Sequence, residues 1–403
     1  MNKNLKNKLT VFFVGIGLVT SFNVNSQISN QEIRIGFSTD LSGLYSDLDG
    51  PGAVEAVKMA IADFGGAVNG KKIDLQIINH QNKPEIAAAK AREWADSNFD
   101  LLLGGVNSGV ALAISKVAAD KKVAFISVGG GTARLTNEEC TPYTINYVLD
   151  TIAQARVVGK AVTQKVGKSW YFLVADYAFG HSLEKDTSEV ILAEGGKVEG
   201  SIRHPVGASD FSSFLLKAQS SKAQVLAFAN AGSDLHNSVK AANEFGIDKS
   251  MKMTAMMQFI TDTHTLGLPI TQGMFLSDAW YWDLNEETRE WSRRYFGKMK
   301  KMPTVLQAGA YSATFQYLKA VKEIGTDDST KVIAHMKTMK INDFFAKGGY
   351  IRPDGRMVHE YYLMEVKKPS ESKYPWDYYK VIQRVRGEDA FNTKAESKCA
   401  LWK

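Results

Sequence analysis

Short apolar runs alternate with amphipathic stretches along the first third of the chain. The runs "IRIGFS" (33–38), "IDLQIIN" (73–79), "FDLLLGG" (99–105) and "VAFISVG" (123–129) are rich in Ile, Val, Leu and Phe, which predicts strands. Between them, "GAVEAVKMAIADF" (52–64), "PEIAAAKAREWADS" (84–97) and "GVALAISKVAADK" (109–121) repeat apolar residues at three and four, which predicts helices. Strand–helix alternation of this kind predicts a parallel sheet with right-handed crossovers.

The pattern starts again after residue 150. Helices are predicted at 152–166, 182–195, 211–221 and 234–246, and strands at 169–176, 197–205, 223–230 and 251–257. "GMFLSDAWYW" (273–282) then leads into two long helical stretches, 286–301 and 306–325. The last part, "GYIRPDGRMVHEYYLMEVKK" (349–368), is strand-like around a Pro353-Asp354-Gly355 turn signal. Two α/β units of similar make are expected.

Ahead of the first strand, residues 1–26 carry Lys3, Lys6 and Lys8, an apolar run from Leu9 to Val19, and a small-residue end at Val24-Asn25-Ser26. That order predicts a cleavable secretory signal, too short to span a bilayer. No cysteine follows it closely, so no lipoprotein attachment site is expected.

Composition adds little beyond class. With 403 residues, 44% hydrophobic and 23% charged, the chain can bury a large core. The formal charge of +6 falls to +3 once the three leader lysines are set aside, too mild to suggest nucleic acid or an anionic membrane as partner. Cys140 and Cys399 are the two cysteines. In an exported chain they are candidates for a disulfide fastening the C-terminal tail to the body, the alternative being two buried thiols.

Open α/β sheets bind ligands beyond the carboxyl ends of their strands. The loops there are "STDLSGLYSD" (38–47), "GGVNSG" (104–109), "SVGGGT" (127–132) and "ADYAFG" (175–180). Loops such as the second and third offer backbone N–H groups and a hydroxyl near a helix N-terminus, which suits a carboxylate. The same glycines also serve tight turns with no ligand at all.

Catalytic and phosphate motifs are missing. Gly167-Lys168-Ser169 has Val162 where a phosphate loop needs Gly, and neither Gly-rich loop has dinucleotide-fingerprint spacing. There is no G-x-S-x-G, H-E-x-x-H or C-x-x-C, and the acids of 47–49 lack the remaining calcium-loop positions. No catalytic residue, metal site or cofactor is expected.

From residue 32 to about 370 the chain resembles the leucine/isoleucine/valine-binding protein family, periplasmic solute-binding components of ABC importers. The pieces that carry this are "IGFSTDLSGLYSDLDGPGAVEAVKMAIADFGG", "GGVNSGVALA", "FISVGGGTARLT" and "DYAFGHSLEKD". The resemblance implies an α/β fold of two doubly wound parallel-sheet lobes joined by a three-strand hinge, the type I periplasmic-binding-protein fold. It places one lobe at 32–147 and 279–352 and the other at 148–278 and 353–403, with crossings near Asp150, Ala279 and Pro353.

It also implies a site. Ser108 matches a hydroxyl that holds the ligand carboxylate, and a second such hydroxyl falls at Gly131 or, with a one-residue insertion, at Thr132. Phe179 stands where amino-acid binders of the family commonly have Tyr. Met256 stands where they have the acid that receives the ligand ammonium, and a thioether cannot pair with that charge. The departure points away from α-amino acids, unless Asp176, Asp234 or Asp262 supplies the charge. Tyr45, Ser46, Asn107, Gly130, Tyr177, Asn230 and Trp280 complete the candidate ligand-binding set; aromatics and Met there fill cores as readily as they line pockets.

The expected protein is a monomeric, periplasmic, non-enzymatic receptor. It captures a small hydrophobic or aromatic carboxylate by lobe closure and delivers it to an inner-membrane ABC permease. The competing readings are a binder of branched-chain or other amino acids for the same kind of importer, a sensory partner of a membrane receptor, and an exported α/β enzyme.

Overall fold

The computed structural model describes residues 28–403, so the leader expected at 1–26 lies outside the described residues. The first sheet has six strands: β1 (Glu32–Thr39), β2 (Ala67–Val68), β3 (Lys71–Asn79), β4 (Leu101–Gly104), β5 (Ala124–Ser127) and β6 (Thr144–Asn146), in the order β2-β3-β1-β4-β5-β6. All its pairings are parallel except the short β2–β3 pair. Ile33, Ile35, Phe37, Leu101, Leu103 and Ile126 are buried, as strands covered on both faces require.

The second sheet runs β10-β9-β7-β8, with β7 (Ser169–Ala175), β8 (Lys197–His204), β9 (Val225–Ala229) and β10 (Lys252–Ala255) all parallel. Beside it stands a three-stranded antiparallel sheet that the alternating pattern did not foreshadow. It has β11 (Phe275–Asp278) paired with β14 (Tyr361–Val366), and β14 with β15 (Tyr379–Val385). β12 (Tyr350–Ile351) and β13 (Met357–Val358) form a small hairpin on the Pro353-Asp354-Gly355 turn. Gly355 has φ +86°, and a Cβ there would sit 2.2 Å from the Thr144 carbonyl oxygen, so the turn requires glycine.

Each parallel sheet has a switch point where consecutive crossovers leave in opposite directions. In the first sheet it falls between β1 and β4, and in the second between β7 and β9. The loops after these four strands are therefore where a ligand site is geometrically favoured.

The long helices Glu286–Met299 and Val305–Ile324 return to the first sheet. Tyr311 donates to Asp63 at 2.6 Å, and the buried Tyr317 donates to the Asp100 carbonyl at 3.1 Å. The first lobe is thus built from two stretches of chain separated by the whole second sheet.

Where the chain passes between lobes, its backbone is held by one parallel bridge between crossings and by buried side chains. Asn146 N–H donates to the Gly355 carbonyl (2.9 Å), and the Asn146 amide donates to the Leu149 carbonyl (3.0 Å). Arg356, fully buried, donates to the carbonyls of Leu149 (2.6 Å) and Met357 (2.9 Å) and lies 3.8 Å from the Asp150 carboxylate. Burial pushes the Asp150 carboxyl up and Arg356 opposes that push; burial likewise lowers the Arg356 guanidinium to about 10. Asp150 also caps the turn that follows, accepting from the N–H groups of Ile152 and Ala153.

This cluster predicts a large, partner-dependent loss on mutation. Arg356→Met should lower the unfolding free energy by about 3 kcal/mol, because it strands a buried carboxylate. Arg356→Met combined with Asp150→Asn, which keeps the cap, should recover part of that loss. Urea unfolding of both variants checks it.

Candidate ligand-binding cleft

The switch-point loops of the two sheets face each other and close on a small cavity. From the first lobe it is lined by Tyr45, Leu48, Val106, Ser108, Gly129 and Leu306, and from the second by Tyr177, Phe179, Ala231, Met257 and Phe259, with Leu149 at the crossing. With the lobes together it holds about 10 Å³, the room of one water.

Each wall has a local cause. Asp40, buried at the end of β1, accepts from the N–H groups of Gly43 (2.7 Å) and Tyr45 (3.0 Å), which curls the loop and aims Tyr45 inward. Asn107 caps the helix Ser108–Lys121, its side-chain oxygen accepting from Gly109 N (2.9 Å) and Val110 N (3.2 Å). Ser108 is therefore the first residue of a well-capped helix, at its positive end. Its hydroxyl oxygen accepts from Thr132 N at 3.2 Å, so the two Gly-rich loops meet there.

Three contacts join the lobes across the cleft. The hydroxyls of Tyr45 and Tyr177 are 2.5 Å apart. Thr132 Oγ1 lies 2.7 Å from Ser182 Oγ. Gly232, at φ +61°, packs so closely that a Cβ would sit 2.2 Å from the Leu44 carbonyl oxygen, and Ser233 N–H donates to that same oxygen. Burial is the main reason that the Tyr45 and Tyr177 hydroxyls are pushed well above the ordinary phenol range, so both stay protonated.

Of the residues picked out from sequence, Tyr45, Ser108, Tyr177 and Phe179 come together in the cavity wall. Gly131 and Thr132 lie at the lobe contact: a Cβ on Gly131 would be 3.2 Å from the Phe179 ring and 3.4 Å from Met257 Cε. The remainder stand elsewhere. Asn107 spends its side-chain oxygen on its cap, and Ser46 sits in the turn behind Tyr45. A Cβ on Gly130 would point at Ala111 and Ser127, away from the lobe contact. Asn230 donates to Ser238 and His204 inside the second lobe. Trp280 donates to the Phe344 carbonyl and packs edge-on against Trp291 in the first lobe.

Met256 is replaced in the wall by its neighbour Met257. Met256 is fully buried in the second lobe, while Met257 lines the cavity. The chain bends after β10, so an ungapped register slips by one. Leu306 and Leu149 had no sequence signal, coming from a distant helix and a crossing strand.

None of the acids weighed as an ammonium partner is free. Asp234 accepts from Gly207 N through both oxygens (3.1 and 3.0 Å). Asp262 meets His236 Nε2 (2.6 Å) and accepts from Phe259 N (2.8 Å), and Asp176 meets His181 at 2.7 Å on the surface. The cavity wall holds no Asp, Glu, Lys, Arg or His; its polar side chains are hydroxyls. Among the described residues no group of three His, Cys, Asp or Glu is placed to hold a metal. A larger concavity of about 1200 Å³ lies beside the helix Ala178–Ala193, and several of its charges pair with one another, as in Lys185–Glu189 and Arg386–Asp389.

A model of the family described as "Periplasmic binding protein" matches residues 32–373. A periplasmic binding protein from Burkholderia mallei is 60% identical, covering 93% of this chain and 100% of its own, with TM-score 0.91. A branched chain amino acid ABC transporter periplasmic ligand-binding protein from Burkholderia xenovorans is 38% identical, covering 92% and 100%, with TM-score 0.82. A solute-binding protein of an ABC transporter from Rhodopseudomonas palustris, in complex with 3,4-dihydroxybenzoic acid, shares the fold at 22% identity, covering 89% and 98%, with TM-score 0.80. The chain spans about half the length of the curated Leu/Ile/Val-binding relatives it matches, 46% and 55% in two of them.

The Gly131 contact predicts a conformational phenotype. Gly131→Val should hold the lobes apart by overpacking Phe179 and Met257, without backbone strain. The radius of gyration from small-angle X-ray scattering should rise while the melting temperature stays near that of the wild type.

Proposed function

The chain belongs to the periplasmic binding protein family and has its type I fold, and from that premise we propose that it captures a small aromatic or hydrophobic carboxylate for an ABC importer. The family serves transport rather than catalysis. One observation carries the reading: the polar side chains of the cavity wall are hydroxyls, one of them at a helix N-terminus, and the acids weighed as ammonium partners, Asp176, Asp234 and Asp262, already have partners. An α-amino acid would bury its ammonium there without a partner, which costs several kcal/mol.

In this reading the Ser108 hydroxyl, at the positive end of the helix Ser108–Lys121, holds the carboxylate, joined by the Thr132 hydroxyl once the parting lobes free it from Ser182. Phe179, Met257, Phe259 and Leu306 enclose the apolar body. A ring enters as the lobes part and Tyr45 lets go of Tyr177. The Rhodopseudomonas neighbour with its dihydroxybenzoic acid supports an aromatic solute on this fold. The Burkholderia xenovorans neighbour, named for branched-chain amino acids, favours the alternative.

A thermal-shift screen decides between them, since a solute that binds only the folded state raises the melting temperature. Benzoate, 4-hydroxybenzoate and phenylacetate should raise it, and leucine, valine and phenylalanine should not. The reverse pattern overturns the carboxylate reading.

The tyrosine pair refines the screen. Once the lobes part around a solute the two hydroxyls no longer satisfy each other, so the Tyr177 O–H is left to bond a hydroxyl of the solute. Tyr177→Phe should weaken 4-hydroxybenzoate about tenfold by titration calorimetry, and benzoate much less.

A further inference from the structure

The segment after β15 leaves the second lobe, crosses the hinge and ends bonded to the first. Its opening turn, Gly387–Ala390, lies directly on the third crossing: a Cβ on Gly387 would be 2.5 Å from Val358 Cγ1 and 2.6 Å from the His359 carbonyl oxygen. Phe391, buried, packs edge-on against His359 (5.3 Å) and Tyr361 (5.6 Å) and under the Arg356 guanidinium (4.7 Å).

Three anchors then follow in order. Arg156, on the second lobe, donates to the Phe391 carbonyl (2.5 Å) and to Glu396 (2.7 Å). Arg352, at the hinge turn, donates to the carbonyl and side-chain oxygens of Asn392 (2.6 and 2.8 Å) and lies 4.0 Å from the Trp402 ring. On the first lobe, Lys398 N–H donates to Asn137 (2.6 Å), and Cys399 is disulfide-bonded to Cys140, between β5 and β6.

We propose that residues 386–402 form a strap that limits how far the two lobes part, a fourth connection beside the three chain crossings. The length of free chain carries the argument. Glu396 is clasped by the second lobe and Cys399 is covalently held by the first, so only Ser397 and Lys398 lie between the fixed points, three steps of chain that extend at most about 11 Å. That stretch lies on the flank where Thr132 meets Ser182; Arg134, Asn137, Ser182, Arg156, Glu396 and Lys398 border one concavity there.

The clasp is built to persist. Burial alone would push the Glu396 carboxyl up, but Arg156 together with the N–H and hydroxyl of Thr393 outweighs it and holds that group at about 2. The contribution of the clasp is present above the ordinary carboxyl range and is lost only as pH falls toward 2. Without the disulfide, the strap's polar hold on the first lobe beyond the Arg352 turn reduces to the single Lys398–Asn137 hydrogen bond. Hinge opening can break such a bond.

The test reads lobe separation and is independent of which solute binds. Small-angle scattering of solute-free protein should give a larger radius of gyration for Cys399→Ser and for Arg156→Ala. The two act differently: the first cuts the covalent end, and the second leaves the disulfide intact but frees the clasp. If Cys399→Ser fails to fold, oxidised wild-type protein reduced with dithiothreitol after folding should show the same expansion. Scattering unchanged from the wild type in Arg156→Ala and in reduced protein, with far-UV circular dichroism also unchanged, overturns the strap.

Discussion

Two lobes that move against each other must still be joined, and the join cannot be a sheet. Strands that cross between lobes share one backbone bridge, Asn146 N–H to the Gly355 carbonyl, and carbonyls such as that of Leu149 need another donor. In this molecule Arg356 supplies much of the answer: a single buried guanidinium binds carbonyls of two crossings and sits beside the Asp150 carboxylate. His359 adds a ring nitrogen 3.1 Å from the Val148 carbonyl oxygen. These side chains satisfy crossing carbonyls that no sheet ladder reaches. The lobes, the cleft between them and the strap behind them all depend on that arrangement.

The chemistry of the cleft follows from where the sheets switch direction. Loops at the two switch points bring a capped helix start, two Gly-rich turns and a set of rings into one small space. Nothing in that space carries a charge, and the nearby acids are tied to Gly207, His236 and the Phe259 N–H. A site of this kind discriminates through omission. In the proposed reading a carboxylate meets hydroxyl donors there, whereas an ammonium meets no carboxylate in the cavity wall.

Much of this was legible in the residues. Alternating apolar runs mark the strands of the two parallel sheets, and the polar, Gly-rich stretches that follow β1, β4, β5 and β7 mark the loops. Tyr45, Ser108, Tyr177 and Phe179 stand on those loops because strand ends are set by the same period that identifies strands. What escaped depends on packing over distance. Met257 rather than Met256 faces the cavity because the chain bends after β10, and periodicity does not report such a bend. Trp280 is an aromatic near a crossing, yet its indole N–H finds the Phe344 carbonyl in the first lobe. The antiparallel β15 was hidden in a stretch where Lys, Gln and Arg alternate with exposed Val381 and Ile382, giving an edge strand no apolar period. The pairing of Cys140 with Cys399 was foreseen as one of two outcomes, but the path between them over the hinge was not.

The hydroxyls of Tyr45 and Tyr177 have a consequence for departure as well as arrival. A buried hydroxyl that loses its ligand is ordinarily stranded, and the cost of stranding it slows release. Here each phenol has the other to return to, 2.5 Å away when the lobes meet. Closure of the empty molecule therefore leaves neither phenol without a partner, so the solute-free lobes can meet without stranding a buried hydroxyl.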